Sequence, residues 1–285
     1  MKITTTTVTV DAKTAAKWLA EHNEGNRRLD MATVASYTRD MLEGRWISAA
    51  DQPLHFDVDG NLLNGQHRLS ALVAADIERP GFRLVFTVVT GLAAAARRVF
   101  DTHRHRDTGQ ELALEGWAHG KTLAAVARLL IAWEDGRSSS KGVNRLVVST
   151  PQVAARLAET PDNARASVLR AVEISRSVPL NRSALGAMAW RLFDLARQYD
   201  DAYDPEQVHA FLDDLDTGEG LTLGDPVLLL RNRAQRWRIA GTRRGQWETL
   251  YLLVRTWNAR RRGESLTKFQ LPNGATVSPE HLIIL

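Results

Sequence analysis

The run Leu62-Leu63-Asn64-Gly65-Gln66-His67-Arg68-Leu69-Ser70-Ala71 concentrates the residue types that bind anions. A short apolar strand that turns through Asn64-Gly65 straight into a helix brings backbone N–H groups to the helix start, where a phosphate binds well. Gly65 lets the backbone approach a ligand closely, and His67 and Arg68 in the first turn add donors for an anion. Spacing leaves two readings open: a nucleotide-phosphate site, or an ordinary strand-to-helix turn with a surface His and Arg.

The elements that must position this run alternate in type. Ile3 to Val10 is rich in Thr and Val and reads as a strand, and Asp11 caps an amphipathic stretch from Ala12 to His22. After a polar turn, Asn23 to Arg28, a second helix is expected from Met31 to Glu43, with Asp30 as its cap and Gly44 as its stop. Pro53 to Leu63 reads as a hairpin turning at Asp59-Gly60, Gly65 to Ala75 regains helical spacing, and Phe82 to Val89 is the most strand-like run. This interleaving predicts an α/β domain over residues 1–115. Strand signals then nearly vanish, and residues 116–285 show helical spacing between Gly, Pro and Asp clusters, which predicts an all-α domain. Ser149 to Ser175 reads helix, turn, helix, which suits a DNA-reading motif or any helical hairpin.

Composition narrows the function classes. The 285 residues are 44% hydrophobic and 25% charged, the balance of a folded globular protein. The absence of cysteine excludes disulfides, thiolate catalysis and cysteine-ligated zinc. No apolar run is long enough for a membrane span, and Met1-Lys2-Ile3 leads into threonines and not into a signal peptide, so a cytoplasmic location is expected. The net charge of +4 is unevenly spread: Arg231 to Arg262 holds ten arginines against the single acid Glu248, which leaves the rest of the chain net negative. A segregated basic stretch suits a polyanion, and Arg243, Arg244, Arg260, Arg261 and Arg262 are the candidate nucleic-acid contacts. The competing reading is that the acidic body neutralises them internally. Trp237, Trp247 and Trp257, interleaved with these arginines, either stack on bases or face inward as core. Asp101, His103, His105 and Asp107 alternate as metal ligands would, but Arg104 and Arg106 crowd them with positive charge, and no metal site is assigned.

The Asn64 to Arg68 run resembles the phosphate-binding motif of the ParB/sulfiredoxin superfamily, specifically its D-G-Q-H-R branch of phage and bacterial ParB-like proteins. Asn26-Arg27-Arg28 is similar to the N-R-R/P-R box of that group, and Met41 to Trp46 ends the second helix as expected there. Phe100 to Thr108 resembles its F-D-T-G-x-x-R-T segment. The joint order of these segments is more specific than any one of them.

The resemblance implies a nucleotide-dependent protein, using ATP or CTP with or without magnesium, that binds or processes nucleic acid, with DNA favoured, a homodimer compatible and an origin in phage or mobile-element biology. It implies phosphate binding by Arg27, Arg28, Asn64, Gly65, Gln66, His67 and Arg68, with Arg104 and Arg106 as a second nucleotide-contacting box. Gln66 holds the place of the sulfiredoxin cysteine, so reductase chemistry is absent. The serine kinases of the superfamily carry Asp where Asn64 stands, and an amide cannot act as a general base. Glu24 and Glu43 are the candidate bases, beside Gln66 and His67 as the other candidate catalytic residues. Two alternatives stay open: a phosphotransferase acting on a small molecule or modified base, and a non-catalytic DNA-binding or assembly protein.

Overall fold

The computed structural model describes residues 2–24, 26, 28–48, 52–96, 100, 107–137, 148–199, 202–242, 244–271 and 277–285. The chain divides into two compact units, one of residues 1–105 with 145–152 and one of residues 106–144 with 153–285.

The first unit is α/β. Strand β1 (Thr4–Asp11) runs into α1 (Ala12–Glu21), whose start is held by Asp11: its carboxylate accepts the Thr14 backbone N–H at 2.8 Å. Helix α2 (Met31–Leu42) begins the same way, with Asp30 accepting from the backbone of Ala32 and the hydroxyl of Thr33. The hairpin of β2 (Leu54–Asp57) and β3 (Leu62–Asn64) is closed by Asp57, which is buried and accepts the backbone N–H groups of Asp59 and Asn61. Helix α3 (Gln66–Glu78) and strand β4 (Arg83–Leu92) complete the unit. The strand order is β1-β4-β2-β3, with β4 antiparallel to β1 and parallel to β2. The core is made by Val10, Phe86 and Val88 of the sheet, Leu54, Phe56 and Leu62 of the hairpin, and Val34, Met41, Leu69 and Leu72 of α2 and α3.

After Leu92 the described elements are helical: α4 (Thr108–Leu114), α5 (Gly120–Glu134), α6 (Thr150–Glu159), α7 (Pro161–Ser177), α8 (Arg182–Gln198), α9 (Pro205–Thr217), α10 (Pro226–Ile239) and α11 (Gln246–Arg261). The chain is therefore an α/β region followed by a helical one. Helices α9 and α10 each start at an Asp-Pro pair in which Asp204 or Asp225 accepts a backbone N–H while proline fills the first helical position, where no donor is needed. Trp190, Phe211 and Trp257 are fully buried at the centre of this unit. Gly186 lets α8 approach α5, since a Cβ there would lie 2.4 Å from Val126 Cγ2. Arg156 is the unit's polar anchor: it forks onto Glu134 through two 3.0 Å hydrogen bonds, pairs with Asp194, and lies 4.9 Å from the Trp190 ring centroid. Helices α6 and α7 meet at Thr160, whose hydroxyl accepts from Arg156 and from the Trp190 indole.

Candidate functional site

Three stretches far apart in sequence meet around the β3–α3 turn. Gly65 is the N-cap of α3 at φ +127°, a conformation that L side chains avoid, and a Cβ there would lie 2.4 Å from Leu54 Cδ2. The turn is thus tight against β2 as well as left-handed. Gln66, the first residue of the helix, is buried and accepts a hydrogen bond from the Asn23 amide at 3.2 Å. Asn26 in turn donates to Asn23 Oδ1 and to the Leu62 carbonyl, each at 2.7 Å. A chain of three amides therefore fastens the polar turn after α1 onto the phosphate-type turn.

His67 fixes the second contact. Its Nε2 accepts the backbone N–H of Asp30 at 3.0 Å, so the start of α2 is attached to the first turn of α3. An accepting Nε2 carries no proton, which puts the ring proton on Nδ1 of a neutral imidazole. Arg68 fixes the third. Its guanidinium is buried beside Gly65 and donates to the carbonyls of Gln52 and of Pro53, the latter at 3.2 Å. Arg68 thus holds the entry to β2, a role that a surface donor would not have. Asn64 is half-buried, and its amide reaches Gln52 Oε1 at 3.4 Å.

His55 on β2 belongs to the same cluster and was missed from sequence. Its Nδ1 is buried without a hydrogen-bond partner, and its ring packs on Phe100 with centroids 4.3 Å apart. Burial and then the charge of Arg68 hold its pKa below the ordinary imidazole value. The signal available in sequence was weak, one His in an alternating strand. Asn23 was legible only as a turn residue.

The remaining candidates are distributed as follows. Arg28 is exposed and has no hydrogen bond or ion pair among the described residues. Glu24 is exposed on the turn that carries Asn23. Glu43 follows the C-terminus of α2, about 20 Å along the axis from Asp30 at 1.5 Å per residue, and its carboxylate pairs with Arg45, which also binds Asp40 at 2.9 Å. Glu43 is therefore not brought to the turn. Arg27, Arg104, Arg106 and Arg243 lie outside the described residues, as do Asp101, His103 and His105. Asp107 caps α4 in a reciprocal box with Gln110.

No protein-family model matches the chain, and no curated protein does. Among solved structures it is similar to the Pnob8-like ParB-N domain, at 15% identity over 85% of this chain and 98% of that one. The TM-score is 0.21, and a likeness that slight carries no argument.

Among the described residues, the candidate nucleic-acid arginines Arg244, Arg260, Arg261 and Arg262 have internal partners. Arg244 pairs with Glu248 at 3.2 Å and lies over Trp237, and Arg260 pairs with Asp214. Arg261 donates to the Ala202 carbonyl at 2.8 Å and lies 4.6 Å from the Tyr203 ring centroid, while exposed Arg262 has a 3.6 Å contact with Glu264. Trp237, Trp247 and Trp257 are buried, so the inward alternative holds for all three. Arg236 and Arg238 are exposed, with no ion pair among the described residues. No helix among the described residues is long and apolar enough to cross a membrane.

Proposed function

We propose that the chain is a nucleotide-dependent nucleic-acid-binding protein of the ParB-like type, of the D-G-Q-H-R branch and phage or mobile-element origin, acting in the cytoplasm on DNA. The observation that carries it is the convergence of Asn23 and Asn26 with the Gly65 to Arg68 turn: two stretches that resemble nucleotide-contacting boxes share one hydrogen-bonded cluster. A nucleoside triphosphate, ATP or CTP, seats its phosphates at the start of α3, with exposed Arg28 as the adjoining cation. Magnesium shields the phosphates where it is required. DNA contact falls to exposed arginines with free charge, Arg236 and Arg238 first among them.

The test is thermal unfolding with each of the four ribonucleoside triphosphates, with and without magnesium, on the wild type and on Arg28→Gln. A ligand present at 100 times its Kd adds about 2.7 kcal/mol of stability, and the variant should show a smaller shift. No shift with any triphosphate would reject the nucleotide site. For DNA, log affinity should fall steeply with log salt, and replacing Arg236 and Arg238 by glutamine should reduce that slope by about one unit each.

A further inference from the structure

The helical unit contains a second concave site unrelated to the motif turn. A cavity of about 560 Å³ lies between α11 and the C-terminal segment, a size suited to a small organic ligand. Its walls are tied together by hydrogen bonds. Asn258 on α11 donates to the Ile283 carbonyl at 2.8 Å and accepts the Leu285 N–H at 3.0 Å, and the Tyr251 hydroxyl donates to the Gln270 carbonyl at 2.9 Å. The cavity is therefore built before any ligand arrives.

Its charge is not balanced. Arg255 on α11 and Arg262, the C-cap of that helix seven residues on, line the cavity together with Lys268 of the following segment. Arg255 and Lys268 have no ion pair or hydrogen bond among the described residues, and Arg262 has only its 3.6 Å contact with Glu264. The opposing acid on the wall is Glu280, whose carboxyl is held below its usual pKa by the Ser278 hydroxyl and so stays ionised. Among the side chains of the wall, three cations then face one carboxylate. His281, also on the wall, accepts the Ser278 N–H at 3.1 Å through Nδ1. Phe269 and Tyr251 supply apolar surface. Stabilisation of the helix C-terminus by cations accounts for Arg260 to Arg262, but the effect fades within the last turn. Arg255 lies about two turns further in and Lys268 lies off the helix, so neither is explained by it.

We propose that this cavity binds a phosphate monoester dianion, with Arg255, Arg262 and Lys268 around the phosphoryl oxygens and Phe269 and Tyr251 beside the organic part. Two carriers share that chemistry: a free mononucleotide and the 5′-phosphorylated end of a nucleic-acid strand. The site does not depend on the Gly65 to Arg68 turn.

Calorimetric titration of the whole chain with AMP, and with one single-stranded oligonucleotide bearing either a 5′-phosphate or a 5′-hydroxyl, separates these cases. AMP should bind at least tenfold more weakly to Arg255→Gln and to Lys268→Gln. Arg165→Gln, an exposed arginine outside the cavity, should leave AMP affinity unchanged, and His67→Ala, on the motif turn, reports any AMP held there instead. Stronger binding of the phosphorylated oligonucleotide identifies the strand end as a carrier, and binding of AMP alone identifies the free nucleotide. The proposal fails if no monoester binds or if Arg255→Gln and Lys268→Gln bind as the wild type. It also fails if AMP affinity is lost in His67→Ala instead, which would assign AMP to the motif turn.

Discussion

The side-chain amide of Asn23 donates to Oε1 of Gln66 across 3.2 Å, joining residues 43 positions apart. Asn23 also accepts from Asn26, whose amide spans to the Leu62 carbonyl, so the cluster is satisfied only when all its members are present. Asn26→Ala removes both side-chain hydrogen bonds of this residue, to Asn23 Oδ1 and to the Leu62 carbonyl. A loss of about 1–3 kcal/mol in urea unfolding is expected, with loss of any triphosphate-induced stabilisation. A neutral result would show that water substitutes for the Asn26 amide.

Gly65→Ala should be more damaging than its surroundings suggest. The added methyl meets Leu54 Cδ2 and the backbone stays at φ +127°, a strain of about 1–3 kcal/mol before any steric cost. Chemical denaturation measures it. Stability equal to wild type would mean that the turn relaxes to a right-handed conformation.

His55 makes the α/β unit sensitive to acid. Its folded pKa lies below the ordinary value of 6.5, so below that pH the unfolded chain binds the proton more readily than the folded one. The stability it contributes is complete above the unfolded pKa and is lost as pH falls through the folded one. Unfolding followed from pH 7.5 to 5 should show a steeper decline for the wild type than for His55→Gln. Equal slopes would place the acid sensitivity elsewhere.

Arg156→Met tests the anchor of the helical unit. The substitution keeps the aliphatic contact with Trp190 but leaves the Glu134 and Asp194 carboxylates without their shared cation. A loss of about 3–5 kcal/mol is expected because Asp194, largely buried, loses its ion-pair partner and Glu134 keeps only Arg191, at 3.4 Å. Adding Glu134→Gln and Asp194→Asn should restore part of it. If the triple variant melts no higher than the single one, packing and not charge accounts for the loss.

Features set within a few residues were legible in the sequence. Asp11 and Asp30 cap helices through N–H groups two or three positions away, Asp57 closes its hairpin over four, and the Asp-Pro pairs at 204–205 and 225–226 begin helices by the same local chemistry. The capping box that starts α4 at Asp107 is equally local, although Asp107 also falls in the segment that resembles a nucleotide-contacting box. Tertiary structure decided the rest. The placement of β4 between β1 and β2 depends on which strand edges meet, and no residue within β4 encodes that choice. Arg68 has the same side chain whether it grips a phosphate or the Gln52 and Pro53 carbonyls, and only the approach of β2 makes it a buried clamp. The ten-arginine stretch has one acid along its own length, and the choice between a polyanion and internal acids is made by the fold, where Asp214 reaches Arg260 from 46 residues away. Coulomb attraction acts through space, so which arginines remain available to an anion, Arg255 among them, was settled only when the helices packed.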